Sequence, residues 1–339
     1  MSELVSTEII VTFDVLWEHG KLLSAATDSP EINHFLDFLK LTQSYNTWVN
    51  YVFDLKCFFT VTCKLPSAIT RADCLAFMQA QDQAGYAEAT INRRLAAVSS
   101  LFNELTLLDA ERFPLNPIYP RPLKYQRYQS KQSLYRRQAQ RVPDILSEDE
   151  LQTFFAALPS WRDRTLVLLM WVSCLRIGEA VAVRFQDIEC SRRSIHIPVA
   201  KWGNVRTVFM DPTTFAALNR YLDEERKDLF PEVDQLFVAF KGKARGRPLS
   251  VNAVQKMLKY HAARCDLPHI HAHLFRHTGI TQLIQQGMTE PVVRQFVGHR
   301  SPDSLLPYLH LTDDFVENEF ENAQSGLDLT GWLGTGGLL

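Results

Sequence analysis

Four prolines, Pro114, Pro117, Pro120 and Pro122, fall within nine residues of the stretch FPLNPIYPRPLKY. Each removes a backbone donor and fixes φ, so neither a helix nor a central strand can run through them. The segment after them is as restrictive. Between Arg121 and Arg141 stand Arg121, Lys124, Arg127, Lys131, Arg136, Arg137 and Arg141, with three tyrosines interleaved and no acidic residue. A run of one charge does not bury itself and reads as an exposed linker. The 339 residues therefore divide into two folded parts around it. The division expected is a short tail over 1–28, a helical domain over 29–118, a basic linker over 119–142, a second domain over 143–325 and a loose glycine-rich end over 326–339.

Before the prolines the apolar residues recur at helical spacing. SYNTWVNYVFDLKCFFTV aligns Trp48, Val52, Leu55 and Phe59, and ATINRRLAAVSSLFNELTLL aligns Ile91, Leu95, Val98, Leu101 and Leu105. Thr70 opens a further helix, and four or five helices make a small all-α domain. Residues 1–28 show no clear period. After the linker, Ser147 and Glu150 have capping-box spacing, and DRTLVLLMWVSCL reads as a buried helix. SRRSIHIPVAKWGNVRTVFMD alternates as two strands around a Gly-Asn turn, with Ile195, Ile197 and Val199 before it and Val205 and Val208 after it. Helical patterns resume at Pro212. The fold class is mainly α with a small β-hairpin.

Composition excludes some roles. Hydrophobic residues at 46% and charged residues at 22% suit two ordinary cores. No apolar run is long enough to span a membrane, and the start MSELVSTEII lacks the basic region of a secretion signal. The six cysteines are scattered with no CxxC pair and read as reduced thiols. The expected location is the cytoplasm, with the nucleoid. The net charge of −2 hides the basic middle and a final stretch from Leu311 onward without Lys or Arg.

The second half carries an unusual stock of donors. CLRIGEA places Arg176 and Glu179 three apart on one helix face. Lys201 stands at the tip of the hairpin. HLFRHT supplies His273, Arg276 and His277, VGH supplies His299, and Tyr308 comes after them. Two guanidinium forks and imidazoles can hold a phosphodiester and the charge added to it in a transition state. A phenol in line with the leaving oxygen can attack to form a phosphotyrosine, and a lysine can protonate the departing oxygen. Each residue alone has a plainer reading: a surface ion pair for Arg176 and Glu179, an ordinary hairpin lysine, a packed tyrosine. His273 and His277 stand four apart, as metal ligands can, but no HExxH glutamate or nearby carboxylate supports a site. His261, His269 and His271 read as surface or structural.

In their joint order, LRIGEA, AKWGNVRTV, HLFRHT and VGHRSPDSLLPYLH resemble the tyrosine recombinases, the phage-type integrases and Xer-like enzymes. The catalytic resemblance covers about Val142 to Leu311. The helical half is similar to the family's SAM-like core-binding domain, so the resemblance implies a two-domain DNA clamp. It implies a phosphate clamp of Arg176 and Arg276, Lys201 as general acid toward a 5′-hydroxyl, and His273 assisting proton transfer. It further implies His299 bonding the phosphate and Tyr308 as nucleophile, with Glu179 and His277 in support. Two departures stand out: Ser304-Leu305 where the family often has two threonines, and Pro307 directly before the tyrosine. Neither a metal nor a nucleotide cofactor is implied, because nucleophile and acid are both side chains.

The implied activity is site-specific breakage and rejoining of double-stranded DNA, as in integration, excision, transposition or resolution. A type IB topoisomerase shares the chemistry, and an inactive DNA-binding accessory protein shares the grip. Lys124, Arg127, Lys131, Arg136 and Arg137 are expected to lie against phosphates. Thr47, Tyr51, Asn92, Arg93 and Arg94 are expected to reach DNA from the helical domain. DDFVENEF sets Phe315, Val316 and Phe320 on one side of a helix, which the resemblance implies is handed to a neighbour in a homo-tetramer. Accessory proteins can join such an assembly.

Overall fold

The computed structural model describes residues 11–119, 134–136, 144–198, 205–227 and 229–298, together with Leu305. The chain forms two compact units, Met1–Ala139 and Gln140–Leu339.

The first unit begins with an antiparallel hairpin, β1 (Phe13–Glu18) and β2 (Lys21–Thr27). His19 and Gly20 both take positive φ at its turn, the backbone that a tight hairpin requires. Within the segment expected as a tail without period, residues 13–27 thus form a hairpin. A register shift between Leu16 and Trp17 breaks the alternation that would have marked it. Phe13 and Leu22 are buried, while Trp17 turns outward and stacks on Phe53.

Four helices come next: α1 (Pro30–Thr42), α2 (Tyr45–Thr62), α3 (Arg71–Gln83) and α4 (Glu88–Leu108). Hydroxyls start three of them. Ser29 and Ser44 accept backbone N–H bonds at α1 and α2, and Thr70 forms a capping box with Asp73 at α3. The faces expected from spacing are the buried ones: Trp48, Val52, Leu55 and Phe59 on α2, and Ile91, Leu95, Val98, Leu101 and Leu105 on α4. The proline stretch is more than a boundary. Phe113 and Ile118 enter this core, and buried Asn116 donates to the Ser99 carbonyl at 2.9 Å and to Asn103 at 2.8 Å. Part of the expected linker belongs here too. Leu134 is buried, and Tyr135 packs on Tyr119 with ring centroids 5.4 Å apart.

The second unit contains α5 (Glu148–Ala157), α6 (Trp161–Trp171), α7 (Ile177–Ala182), α8 (Pro212–Arg220), α9 (Val251–Arg264), α10 (Ala272–Gln285) and α11 (Glu290–Val297). α5 opens with the Ser147–Glu150 capping box. α6 is buried from Thr165 through Met170, as an element covered on all sides must be. α10 lies against it so closely that a Cβ on Gly279 would collide with the Trp171 carbonyl. Thr278 Oγ1 on α10 accepts the Leu146 amide at 2.9 Å and ties down the approach to α5.

Beside these helices is a small antiparallel sheet in the order β3 (Ile188–Glu189), β4 (Ser194–Ile197), β5 (Arg206–Phe209). Ile195 faces Val208, and Ile197 faces Arg206. The inward position of β5 expected at Val205 is therefore a correction: Val205 is 65% exposed, and Arg206 takes the inner face with Val208. Residues 205 and 208 are three apart and cannot share one face of a strand. Among the described residues no helix is long and apolar enough to cross a membrane.

Candidate active site

Between α6 and α7 the chain turns sharply. Cys174 is buried with φ of 51°. Arg176 then caps α7 in extended conformation, and Glu179 reaches back to accept the Arg176 amide at 2.8 Å. The same carboxylate accepts Arg176 Nη1 at 3.0 Å. The Arg-x-x-Glu spacing gives this local loop, but the pair is not an ordinary surface ion pair, because the Glu179 side chain is only 10% exposed.

Two more arginines converge on Glu179. Arg206 on β5 donates from Nη1 at 3.1 Å and Nη2 at 2.7 Å, a two-pronged pair, and from Nε to the Phe296 carbonyl at 3.0 Å. Arg276, deep in α10, donates to the carbonyls of Cys174 and Val297, the latter at 2.8 Å, and stands 3.8 Å from Glu179. Three guanidiniums thus surround one carboxylate and leave two positive charges in excess. Arg276 is almost wholly buried, whereas Arg176 keeps 40% of its side chain open to solvent. This is a cationic floor with one accessible edge, suited to an oxyanion.

The protonation states are set by the packing. Burial alone would raise the Glu179 carboxyl. The Arg206 fork, the Arg176 amide and both guanidinium charges overcome it and hold the carboxyl below its ordinary range. Burial, then the charge of Arg176, brings Arg276 down to about 10, so it stays cationic at neutral pH. Burial pushes the Cys174 thiol up to about 12, which keeps it inert.

His273 and His277 lie one turn apart on α10, with ring centroids 6.0 Å apart. His273 is exposed at the start of the helix, and partial burial followed by Arg276 lowers its pKa. His277 is brought to about 4, by burial first and by His273 next. The histidine-dense run otherwise disperses. His269 pairs with Glu150 at 3.0 Å, His271 bonds the His269 carbonyl, and His261 is buried on α9. Among the described residues no group of three metal-ligating side chains forms.

Lys201, His299 and Tyr308 lie outside the described residues, though their flanks are placed. Gly298, directly before His299, ends α11 at φ 69°. Leu305, three positions before Tyr308, is fully buried in a cluster with Cys174, Ile280, Ile284, Val293 and Val297. The leucine that replaces a hydroxyl residue is therefore an apolar anchor. Arg206 and Gly298 are the residues that spacing did not single out. The signal for Arg206 was available: counting inward positions from Ile195 and Ile197 across the turn puts an arginine on the buried face.

The residues expected to meet DNA from the first unit are largely engaged within it. Asn92 uses both ends of its amide on the backbone of Arg136, at 3.0 and 3.1 Å. Arg94 stacks 4.0 Å over Tyr86 and donates to Gln81. Arg93 pairs with buried Asp54 at 2.6 Å while keeping 44% of its side chain exposed. Thr47 shares a bond of 2.8 Å with Ser44, and Tyr51 packs against the core. Arg136 forms a two-pronged pair with Asp82 and is not a free linker charge. Lys124, Arg127, Lys131 and Arg137 lie outside the described residues, as do Phe315, Val316 and Phe320.

Residues 144–314 match the Phage integrase family, and residues 32–107 match the Phage integrase, N-terminal SAM-like domain. A protein named tyrosine recombinase from Thermosipho africanus is 28% identical over 293 residues, 83% of this chain and 95% of the relative. Tyrosine recombinase XerA from Pyrococcus horikoshii is 25% identical over 299 residues, 88% of this chain and 94% of the relative. Among solved structures, the Tn1549 transposon integrase in complex with transposon right end DNA gives a TM-score of 0.65 at 17% identity, over 85% of this chain and 97% of that one. The XerH site-specific recombinase bound to difH substrate gives 0.62 at 20% identity, over 82% and 79%. At these identities the two structures speak for a shared fold.

Proposed function

The chain belongs to the phage integrase family, and from that premise we propose how its own side chains carry out site-specific DNA recombination. It is a tyrosine recombinase that breaks and rejoins DNA strands. The observation that carries the assignment of roles is the convergence of Arg176 and Arg276 on one carboxylate that does not neutralise them. Their excess charge supports a role in binding the non-bridging oxygens of a scissile phosphate. Tyr308 attacks the phosphorus, its phenolic proton passes to neutral His273, and the bond to the 5′ oxygen breaks. Lys201 gives that oxygen its proton. A 3′-phosphotyrosine and a free 5′-hydroxyl result, and the hydroxyl of a partner strand reverses the step. His299 bonds the phosphate beside the arginines. The energy of the broken phosphodiester is kept in the new one, so the scheme balances without an external energy source.

DNA is the partner of both the helical and the catalytic domain, with the basic run contributing contacts to its phosphates. The residues after Tyr308 would place Phe315, Val316 and Phe320 on a neighbouring copy, closing a homo-tetramer on two duplexes. A nicked suicide substrate, from which the cleaved strand diffuses away, tests the chemistry. Wild-type protein should give a denaturation-resistant adduct. Tyr308→Phe should give none while binding DNA with unchanged affinity, and Arg276→Ala should lose the adduct and keep much of the binding. Adduct formed by the Phe variant would show that another residue attacks.

A further inference from the structure

We propose that Arg206 is a positioning residue of this active site: it takes up the charge of Glu179 so that Arg176 and Arg276 remain free for the phosphate, and it locks the end of α11 that leads into His299. This rests on the assignment of those two arginines as the phosphate clamp.

Geometry ranks the three arginine partners of Glu179. Arg206 sets two guanidinium nitrogens on the carboxylate, at 2.7 and 3.1 Å. Arg176 offers one side-chain nitrogen, and Arg276 stands at 3.8 Å with one bond from each Nη to a backbone carbonyl, which leaves others of its five N–H donors for a ligand. A planar fork on a carboxylate is the strongest of these arrangements. Were Arg206 absent, the half-satisfied carboxylate would draw in its other neighbours. Each guanidinium so drawn would be partly neutralised before DNA arrived.

The third donor of Arg206 does separate work. Nε bonds the Phe296 carbonyl at 3.0 Å, two residues before Gly298. A Cβ built on Gly298 would stand 2.8 Å from Arg206 Nη1. The glycine before His299 is thus needed twice, for its φ of 69° and for the room that the guanidinium occupies. Arg206 also opens the strand that follows Lys201 in the sequence. One side chain, 9% exposed, therefore braces α7, β5 and α11 against each other. It does not line the accessible edge that Arg176 presents, so it acts through its neighbours and not on the reacting atoms.

The test uses the full chain on the nicked substrate at saturating DNA, and it reads the rate constant and the final amount of adduct separately. Lost folding removes molecules and lowers the amount. Misplaced groups lower the rate constant. Arg206→Ala should slow cleavage about 100-fold, and Arg206→Lys, which keeps the charge without the fork, roughly 10-fold or more. In both, affinity for DNA and the final amount of adduct should hold. Glu179→Gln combined with Arg206→Ala should be slower than Glu179→Gln alone by much less than Arg206→Ala slows the wild-type chain, because the carboxylate contact is already spent and only the bond to the Phe296 carbonyl is lost in addition. Should the alanine variant not fold, Arg206→Lys and Gly298→Ala carry the same comparison, the latter displacing the guanidinium without removing it. A reduced amount at the wild-type rate, or additive losses in the double variant, would overturn the proposal. No adduct from the wild-type chain would sink the recombinase assignment itself.

Discussion

At neutral pH the shifts favour the uncharged imidazole, with one N–H and one bare nitrogen, for both histidines of α10. Burial, then His273, Arg276 and His271, hold His277 at about 4, and His273 is lowered for similar reasons. A neutral His273 can accept the phenolic proton of Tyr308, where an imidazolium beside Arg276 could not. The same shifts bear on stability. Unfolded histidine binds its proton near 6.5, while folded His277 resists it, so the unfolded state holds more protons between about 4 and 6.5. Stability is complete above 6.5 and is lost as pH falls toward 4. At full strength this amounts to about 3 kcal/mol, and solvent at the open edges of the rings reduces it to roughly 1–2 kcal/mol. Unfolding free energies taken by denaturant titration from pH 4 to 7 should show wild-type protein losing that increment relative to His277→Gln. Parallel curves would mean that the shift is not expressed in folding.

At the scale of elements, the site is built where α10 crosses α6. Arg276 reaches the Cys174 carbonyl because the helices touch at Gly279, where no side chain keeps them apart. Alanine there would raise helix propensity by about 1 kcal/mol. Its Cβ would collide with the Trp171 carbonyl and lie 3.0 Å from Cys174 Sγ, and a backbone carbonyl cannot swing aside. Overpacking wins, and Gly279→Ala should cost a net ~2–3 kcal/mol and slow adduct formation, read from the melting temperature and the cleavage rate. Period and capping made the helices legible in the sequence: the buried faces of α2 and α4 and the Ser147–Glu150 box are where spacing places them. Period failed where an element breaks it. The bulge at Leu16/Trp17 hid the first hairpin, and the pairing of Val205 with Val208 in one pattern hid Arg206. The linker misled for another reason. Charge along a sequence does not show that Leu134 finds a core or that Arg136 finds Asp82, since both contacts are made with residues far away in the chain.

For the whole molecule, a net charge of −2 must be reconciled with a polyanionic partner, and distribution does this. The acidic residues after Leu311 are separated in sequence from the basic run at 121–141, which no carboxylate interrupts. Each phosphate that the run would neutralise as proposed would release counterions, so the logarithm of affinity should fall with the logarithm of salt by about 0.9 per contact. The run is not uniform, however. Arg136 is matched to Asp82, whose carboxyl is lowered chiefly by that hydrogen bond. A guanidinium already paired with a carboxylate neutralises little phosphate charge and so releases few of the DNA's counterions. Replacing Lys124, Arg127 and Lys131 together by alanine should therefore flatten the salt slope by roughly 2–3, while Arg136→Ala should change it by much less than one. Fluorescence anisotropy between roughly 50 and 200 mM salt measures both. Asp82→Asn sharpens the comparison, because it releases Arg136 and should steepen the slope by up to about one. Should Arg136→Ala flatten the slope as much as any single member of the run, the Asp82 pair opens when DNA binds, and Arg136 belongs with the phosphate contacts after all.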